Sequence, residues 1–432
     1  VTSAQADAAA PPATTRGFEP LATIGVGLAV AALALARQSG LAAWRTIWAE
    51  DGGVLLADVW RHGWHSVQRP YAGYLQLSSR LLTLPVGALP VRTAAIYFAV
   101  VSAAGLGLVA TGVWRISRNR LRQRVARLTL VLAFALLPAM IGENLDNITN
   151  LIWALLFAMF WACACRSEDR LDTGIRAGIL GLGAASTVLA ALYLPGVAWM
   201  VWRRRRGDLT GAVAYGIGGV LQAAVALGAT HDPAGRRGDV AEIARSIGTR
   251  VAGSSVAGER WLPALSRNLG SALPWSATLV LLGAIALAWV AGRPSGRRLA
   301  VFALVGALIA VLAALLFRGI DAVPAGEPLV LGGSRYTVVP LLLVVSAFVI
   351  LLDGAWSRPG WPKVVTIGFM VWAVVLVGVN FRNANGRTDG PDWRSGVATA
   401  QAKCRADPAR TTAKVTVSPT FIVVTVPCSR LR

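Results

Sequence analysis

The stretch RAGILGLGAASTVLAALYLPGVAWMVWRRRR, residues 176–206, decides how the chain is laid out. Positions 177–202 are apolar and long enough for one bilayer crossing, which takes roughly 20 residues. Arginine nevertheless closes the block at both ends. Arginine-rich segments collect on the cytoplasmic side of a membrane, and a single crossing would send Arg176 and the Arg203–Arg206 run to opposite sides. Ser186 and Thr187 weaken the middle, and Pro195-Gly196 interrupt the second half. The block therefore reads as two short helices that meet near the far interface and return both arginine groups to one side.

Outward from this block the same alternation repeats. The 432-residue chain is 55% hydrophobic and only 15% charged, too little charge to cover a soluble surface of this size. Its formal net charge of +21 would by itself suit nucleic acid. The arginines lie in short runs between apolar blocks, however, which fits anchoring against anionic membrane lipid; no nucleic-acid partner is expected. The fold class is an all-α polytopic membrane protein with about eleven transmembrane helices.

Residues 1–20, rich in Ala, Pro and Thr, read as a disordered cytoplasmic tail. The first span covers 21–36. Its end, Ala34-Leu35-Ala36, looks like a signal-peptidase site, but only Arg16 precedes it as a basic residue, so an uncleaved helix is expected. Further spans lie at 93–114 and 128–141, then one ending near Cys165, the two short helices, and one at 209–229. Two more end before Arg293 and at Phe317, the tenth begins near Tyr336, and the eleventh ends near Phe381. With the N-terminus inside, the long loops 38–92, 231–268 and 318–335 and the segment 382–432 all fall on the extracytoplasmic side. A membrane domain of 21–381 thus carries its polar material outward. In the first outer loop, Val54–Trp60 and Leu75–Leu84 have polar faces and read as juxtamembrane amphipathic helices. Trp44, Trp48, Trp60 and Trp64 fit an aromatic belt. Cys404 and Cys428 flank a strand-like alternation in the small C-terminal outer segment, where an oxidising compartment would join them as a disulfide. Cys163 and Cys165 lie in an apolar block and read as packing residues.

Four polar groups near the outer interface are candidates for chemistry. Glu50-Asp51, in the run Trp48–Gly53, puts two carboxylates between aromatics and glycines; such a pair serves general-base catalysis or, as a lesser option, holds a divalent cation (Mg or Mn). No cofactor is otherwise required. Arg69, Tyr71 and Tyr74, with Arg80, His62 and His65 nearby, offer guanidinium forks for a phosphate and rings and hydroxyls for a sugar. Glu143, Asn144, Asp146 and Asn147 form a short turn with more polar side chains than a turn needs, followed by Asn150 and Trp153. Arg335 and Tyr336 follow Gly333-Ser334 and open the tenth span, where a cation at the membrane surface could neutralise a lipid phosphate; Arg318 is a second such candidate. The plain alternatives are solvated turns, a helix cap and snorkelling arginines. Three scattered histidines, including His231 beside Asp232, lack the ligand spacing of a zinc site, and no metal site is assigned. No phosphate-cradling glycine loop with Lys-Ser/Thr and no serine nucleophile elbow occurs, so a donor must already reside in the membrane.

These pieces together resemble the GT-C superfamily of membrane glycosyltransferases, which use polyprenyl-phosphate sugars. The resemblance rests on Glu50-Asp51 just after the first span, the short fifth and sixth helices ending in Arg203–Arg206, and Arg335-Tyr336 opening a late span. Pro70–Tyr74 and Pro427-Cys428 are similar to an uncharacterised bacterial subgroup. The chain departs from the superfamily in having Glu-Asp rather than Asp-x-Asp and a small outer part. The resemblance implies a hexosyl- or pentosyltransferase of the bacterial cytoplasmic membrane, with its active site outside. It would move a sugar, with inversion, from a polyprenyl-phosphate donor to a glycan or glycolipid acceptor of the cell envelope. Asp51 is then the first choice of base with Glu50 assisting, Arg335, Arg69, Arg80 or Arg318 hold the donor phosphate, and Asn144, Asp146 and Asn147 position the acceptor. A transporter or flippase for a lipid-linked or small-molecule substrate is the main alternative. A non-catalytic assembly subunit and an acyl- or phosphotransferase are further ones.

Overall fold

The structure, a computed structural model, describes residues 19–228, 235–323 and 335–432. The tail 1–18, the His231-Asp232 pair and Gly333-Ser334 lie outside the described residues.

Among the described residues eleven apolar helical segments form the bundle. They are α1 (Glu19–Arg37), α2 (Ala94–Ile116), α3 (Arg124–Leu136), α4 (Leu151–Ala164), α5 (Arg170–Ser186) and α6, a 3-10 turn Val188–Tyr193 running into Leu194–Arg203. Then come α7 (Arg206–Gly228), α8 (Leu273–Ala291), α9 (Pro294–Arg318), α10 (Arg335–Leu352) and α11 (Trp361–Asn380). Among the described residues seven helices are long and apolar enough to cross a membrane; α3, α4, α5 and α6 are shorter. The chain is a multi-pass membrane protein. Close approach of α1 to α2 and of α5 to α7 depends on absent side chains: a Cβ on Gly107 would strike the Gly27 carbonyl, and one on Gly218 the Gly181 carbonyl.

The expected split of 177–202 is present, and it falls where Ser186 and Thr187 weaken the block. The break falls at Thr187, whose extended backbone (φ −154°, ψ 141°) stops α5 and whose hydroxyl caps the next turn by accepting from Leu189 N. Pro195 opens a helix instead of interrupting one, as proline does in a first turn, where no intrahelical N–H is needed. Both arginine flanks converge on one carboxylate. Asp208, at the start of α7, takes Arg176 at 2.8 Å and Arg203 at 3.2 Å. On the same end Arg115 and Arg118 bind Asp172, Asp169 and, for Arg118, Glu168.

The third span also differs from expectation. Helix α3 stops at Leu136, and 137–150 runs as irregular backbone, buried throughout. Irregular chain survives at this depth only where protein surrounds it.

Beyond the other end of the bundle, α12 (Trp393–Ala406) and a hairpin of β1 (Thr412–Val417) with β2 (Ile422–Pro427) are joined by the Cys404–Cys428 disulfide. Alternate strand residues, Ala413, Val415, Val417, Val424 and Val426, face inward and form a second core with Ile47, Leu55, Leu56 and Val59 of the first loop.

Candidate active site

Five chain segments far apart in sequence meet at the end of the bundle opposite the arginine clusters. Arg335, at the first turn of α10, places Nη1 2.9 Å from Glu50 Oε1 and 3.6 Å from Glu143 Oε2. Its backbone N–H donates to Glu143 Oε1 at 2.9 Å, so one carboxylate holds both the start of α10 and its guanidinium. The guanidinium also lies over the Tyr336 ring, 5.2 Å from its centroid, and Tyr336 meets Trp153 edge to face at 5.6 Å. Trp153 Nε1 donates to Asn150 Oδ1, and Asn150 Nδ2 donates back to the Glu143 carbonyl. Asn144 Nδ2 donates to the Ala139 carbonyl.

The two adjacent acids have separate environments. Glu50 is partly exposed, and its Oε2 has no hydrogen-bond partner among the described residues. Asp51, the sequence's first choice of base, is fully buried and does not open onto any surface. Its Oδ2 accepts from Ile148 N, and its Oδ1 accepts from Thr149 N and Thr149 Oγ1, at 2.7–3.0 Å. Burial pushes Asp51 up to about 6, against the pull of those three donors and of Arg387. A carboxylate so committed has no lone pair aimed at a substrate. It ties the first loop to the 143–150 turn.

Asp146 takes a left-handed backbone (φ 55°) and is buried, with neither carboxylate oxygen hydrogen-bonded among the described residues. Burial pushes it up to about 7, offset in part by Arg387 and Arg37. Asn147 accepts from Asn150 N, while its Nδ2 has no partner among the described residues.

Other predicted residues lie elsewhere. Arg80 is buried against Asp58 at 2.6 Å, and Arg69 reaches the same carboxylate at 3.9 Å. These two therefore neutralise an acid of the first loop itself, apart from Arg335. Tyr71 and Tyr74 close a tight turn by paired backbone hydrogen bonds, with Ala72 and Gly73 both at positive φ. Arg318 lies over the Tyr74 ring at 5.8 Å, so these two do meet. His65 stacks on exposed Trp64, and His62 is half-buried at the end of the preceding short helix, Ala57–His62.

Two arginines escaped the sequence reading. Arg37 donates to the carbonyls of Ala135, Leu137, Asn380 and Phe381, joining the ends of α1, α3 and α11. An arginine at the outward end of the first span breaks the positive-inside pattern, and that was its signal. Arg387 is fully buried and donates to carbonyls of Ala43, Thr46, Leu145 and Asp146 and to Thr46 Oγ1. Nothing in its local sequence marks it.

The family model described as glycosyltransferase family 87 matches residues 77–317. The match includes the 143–150 turn, Trp153 and Arg80, and leaves Glu50, Arg318, Arg335 and the C-terminal segment outside. No curated protein and no solved structure matches the chain. With more than half its length matched, on a bundle of apolar helices, the chain belongs to glycosyltransferase family 87, a GT-C-type family of membrane glycosyltransferases.

Proposed function

We propose that the protein transfers a sugar from a polyprenyl-phosphate carrier to a glycan or glycolipid of the bacterial cell envelope, at the outer face of the cytoplasmic membrane. The observation that carries this reading is the Glu50–Arg335–Glu143 cluster, an ion pair across 285 positions of sequence at 2.9 Å. The arginine-rich ends Arg115–Arg118 and Arg203–Arg206 face the cytoplasm by the positive-inside rule, so the cluster faces outward.

A lipid-borne donor suits the bundle. A groove of about 940 Å³ runs between α3, α8, α10 and α11. Leu132, Leu281, Leu341, Phe348 and Phe369 line it, and it reaches Leu137-Pro138, where the buried turn begins. A prenyl chain there would bring its phosphate toward the cluster.

The donor phosphate would replace Glu50 as the partner of Arg335, since a dianion or monoanion competes well for a guanidinium fork. Glu50, released, takes the proton of the acceptor hydroxyl. The acceptor oxygen then bonds to the anomeric carbon as the carbon–oxygen bond to the phosphate breaks, inverting the centre. Arg335 holds the charge that develops on the leaving polyprenyl phosphate. Asn144, Asp146 and Asn147 are the acceptor-positioning set. In this reading Glu50 is the base and Asp51 the brace, the reverse of the order suggested by sequence.

The test is transfer from defined polyprenyl-phosphate sugars in nanodiscs. Glu50→Gln should lower kcat by about 10²–10⁴-fold, the usual worth of a general base. Full activity in Glu50→Gln would remove the mechanism.

A further inference from the structure

The C-terminal segment lies outside the family match and outside the bundle, yet it touches the first loop at the residues around Glu50. Ser418 N donates to the Ile47 carbonyl at 2.9 Å, and Ser418 bridges Trp48. Gly52, two residues after Glu50, is seated against the hairpin: a Cβ there would lie 2.9 Å from Val424 and 3.1 Å from Val417. Leu55 and Leu56 complete the same apolar core. From the other side, Arg387 binds carbonyls of both the 43–46 segment and the 145–146 turn. The segment is closed on itself by Cys404–Cys428, which joins the end of α12 to the end of β2.

We propose that residues 382–432 are the positioning element of the transfer site: the disulfide-closed hairpin and Arg387 hold the Trp48–Leu56 arm so that Glu50 meets Arg335. This rests on the reaction proposed above only for its kinetic readout. Arg387 and Gly52 act through Glu50 and are positioning residues. The physical reason is rigidity. Glu50 sits at the start of a short helical turn in the first loop rather than on a bundle helix, and a base must be held to within a fraction of an ångström, which packing on a separate folded unit supplies.

The experiment uses the full chain in nanodiscs and reads amide hydrogen exchange together with kinetics. In a Cys404→Ser/Cys428→Ser double variant, the amides of Gly52, Ile148 and Thr149, bonded to Trp48 O and Asp51, should exchange faster by about tenfold or more. Exchange in α5 and α7 should not change. Donor KM should stay within about twofold while kcat falls about ten- to a hundredfold, as expected of a misplaced base. Arg387→Lys should recover part of the kcat lost in Arg387→Ala. Gly52→Ala, which leaves the hairpin's own sequence intact, should give the same kinetic split if the double variant misfolds. Faster exchange confined to α12 and the hairpin, with Gly52, Ile148 and Thr149 unmoved, overturns the proposal, as does a loss expressed only in donor KM. Exchange needs no turnover. A protein that transfers no sugar but shows the coupled exchange would refute the reaction and leave the positioning role standing.

Discussion

The two ends of the bundle both gather charge, but they use it differently. At the arginine-rich end Asp208 and Asp172 are matched by arginines no more than 57 positions away: Asp208 by Arg203 and Arg176, Asp172 by Arg115 and Arg118. At the other end the matches run across the whole chain, from Glu50 to Arg335 and from Asp146 to Arg37 and Arg387. There Glu50 Oε2, both Asp146 oxygens and Asn147 Nδ2 are left without partners among the described residues. Closed pairing anchors a bundle and fixes its orientation. Open pairing between remote segments is the mark of a place built to receive something polar.

The contrast can be broken at its strongest point first. Arg176 is fully buried, with three further acceptors or partners in Ala162 O, Ser167 Oγ and Asp208. Arg176→Ala leaves buried Asp208 with Arg203 alone and should cost about 3 kcal/mol of stability, with donor KM unchanged in the protein that folds. A shift in denaturation midpoint measured in nanodiscs checks this, and an unchanged midpoint would mean the pair is dispensable.

Asp146 offers a second, smaller effect with a definite sign. Its pKa is raised from the ordinary value near 3.9 to about 7, so the folded protein keeps a proton that the unfolded chain has lost. Stability from this group is therefore greatest below about pH 4 and falls as pH rises to about 7; Asp51, raised to about 6, adds in the same direction. Asp146→Asn should be stabilising at pH 8 relative to wild type by about 2 °C or more in Tm, with the gain vanishing toward pH 4. Thermal unfolding followed by tryptophan fluorescence at several pH values would show a pH-independent difference if Asp146 were ordinarily ionised.

The smallest effect belongs to the rim of the anchoring end. Arg118 is partly exposed and shares its acids with Arg115. Arg118→Gln should change stability by less than about 1 kcal/mol and lose even that in high salt. A loss as large as that of Arg176→Ala would show the network to be a single cooperative unit.

Much of this was legible. The split of 177–202 follows from arginine at both flanks, because charge placement constrains topology more strongly than hydropathy does. The break falls at Thr187, one of the two residues that weaken the block, which extends its backbone and caps the next turn; only Pro195, which reads as an interruption, instead opens a helix. The resemblance put Glu50-Asp51 and Arg335 in one site, but the direct contact of Glu50 with Arg335, and of Glu143 with both the arginine's side chain and backbone, was not legible, since ion pairs across 285 positions leave no local pattern. The exchange of roles between Glu50 and Asp51 was hidden for a related reason. Neighbours on a helical turn point different ways, and only the packing of the 148–149 backbone decides which acid is enclosed. The pairing of Arg80 with Asp58 was not legible either, because the sequence did not single out Asp58.

Gln222 of α7 reaches out of the bundle wall to the tight turn of the first loop, accepting from Leu75 N and donating to the Gly73 carbonyl. It lies six residues from the end of α7, about 9 Å down the helix. Pulling the turn away would leave a bare carboxamide facing hydrocarbon, at a cost of several kcal/mol. The first loop is thus pegged into its socket like a dowel at this point of the rim.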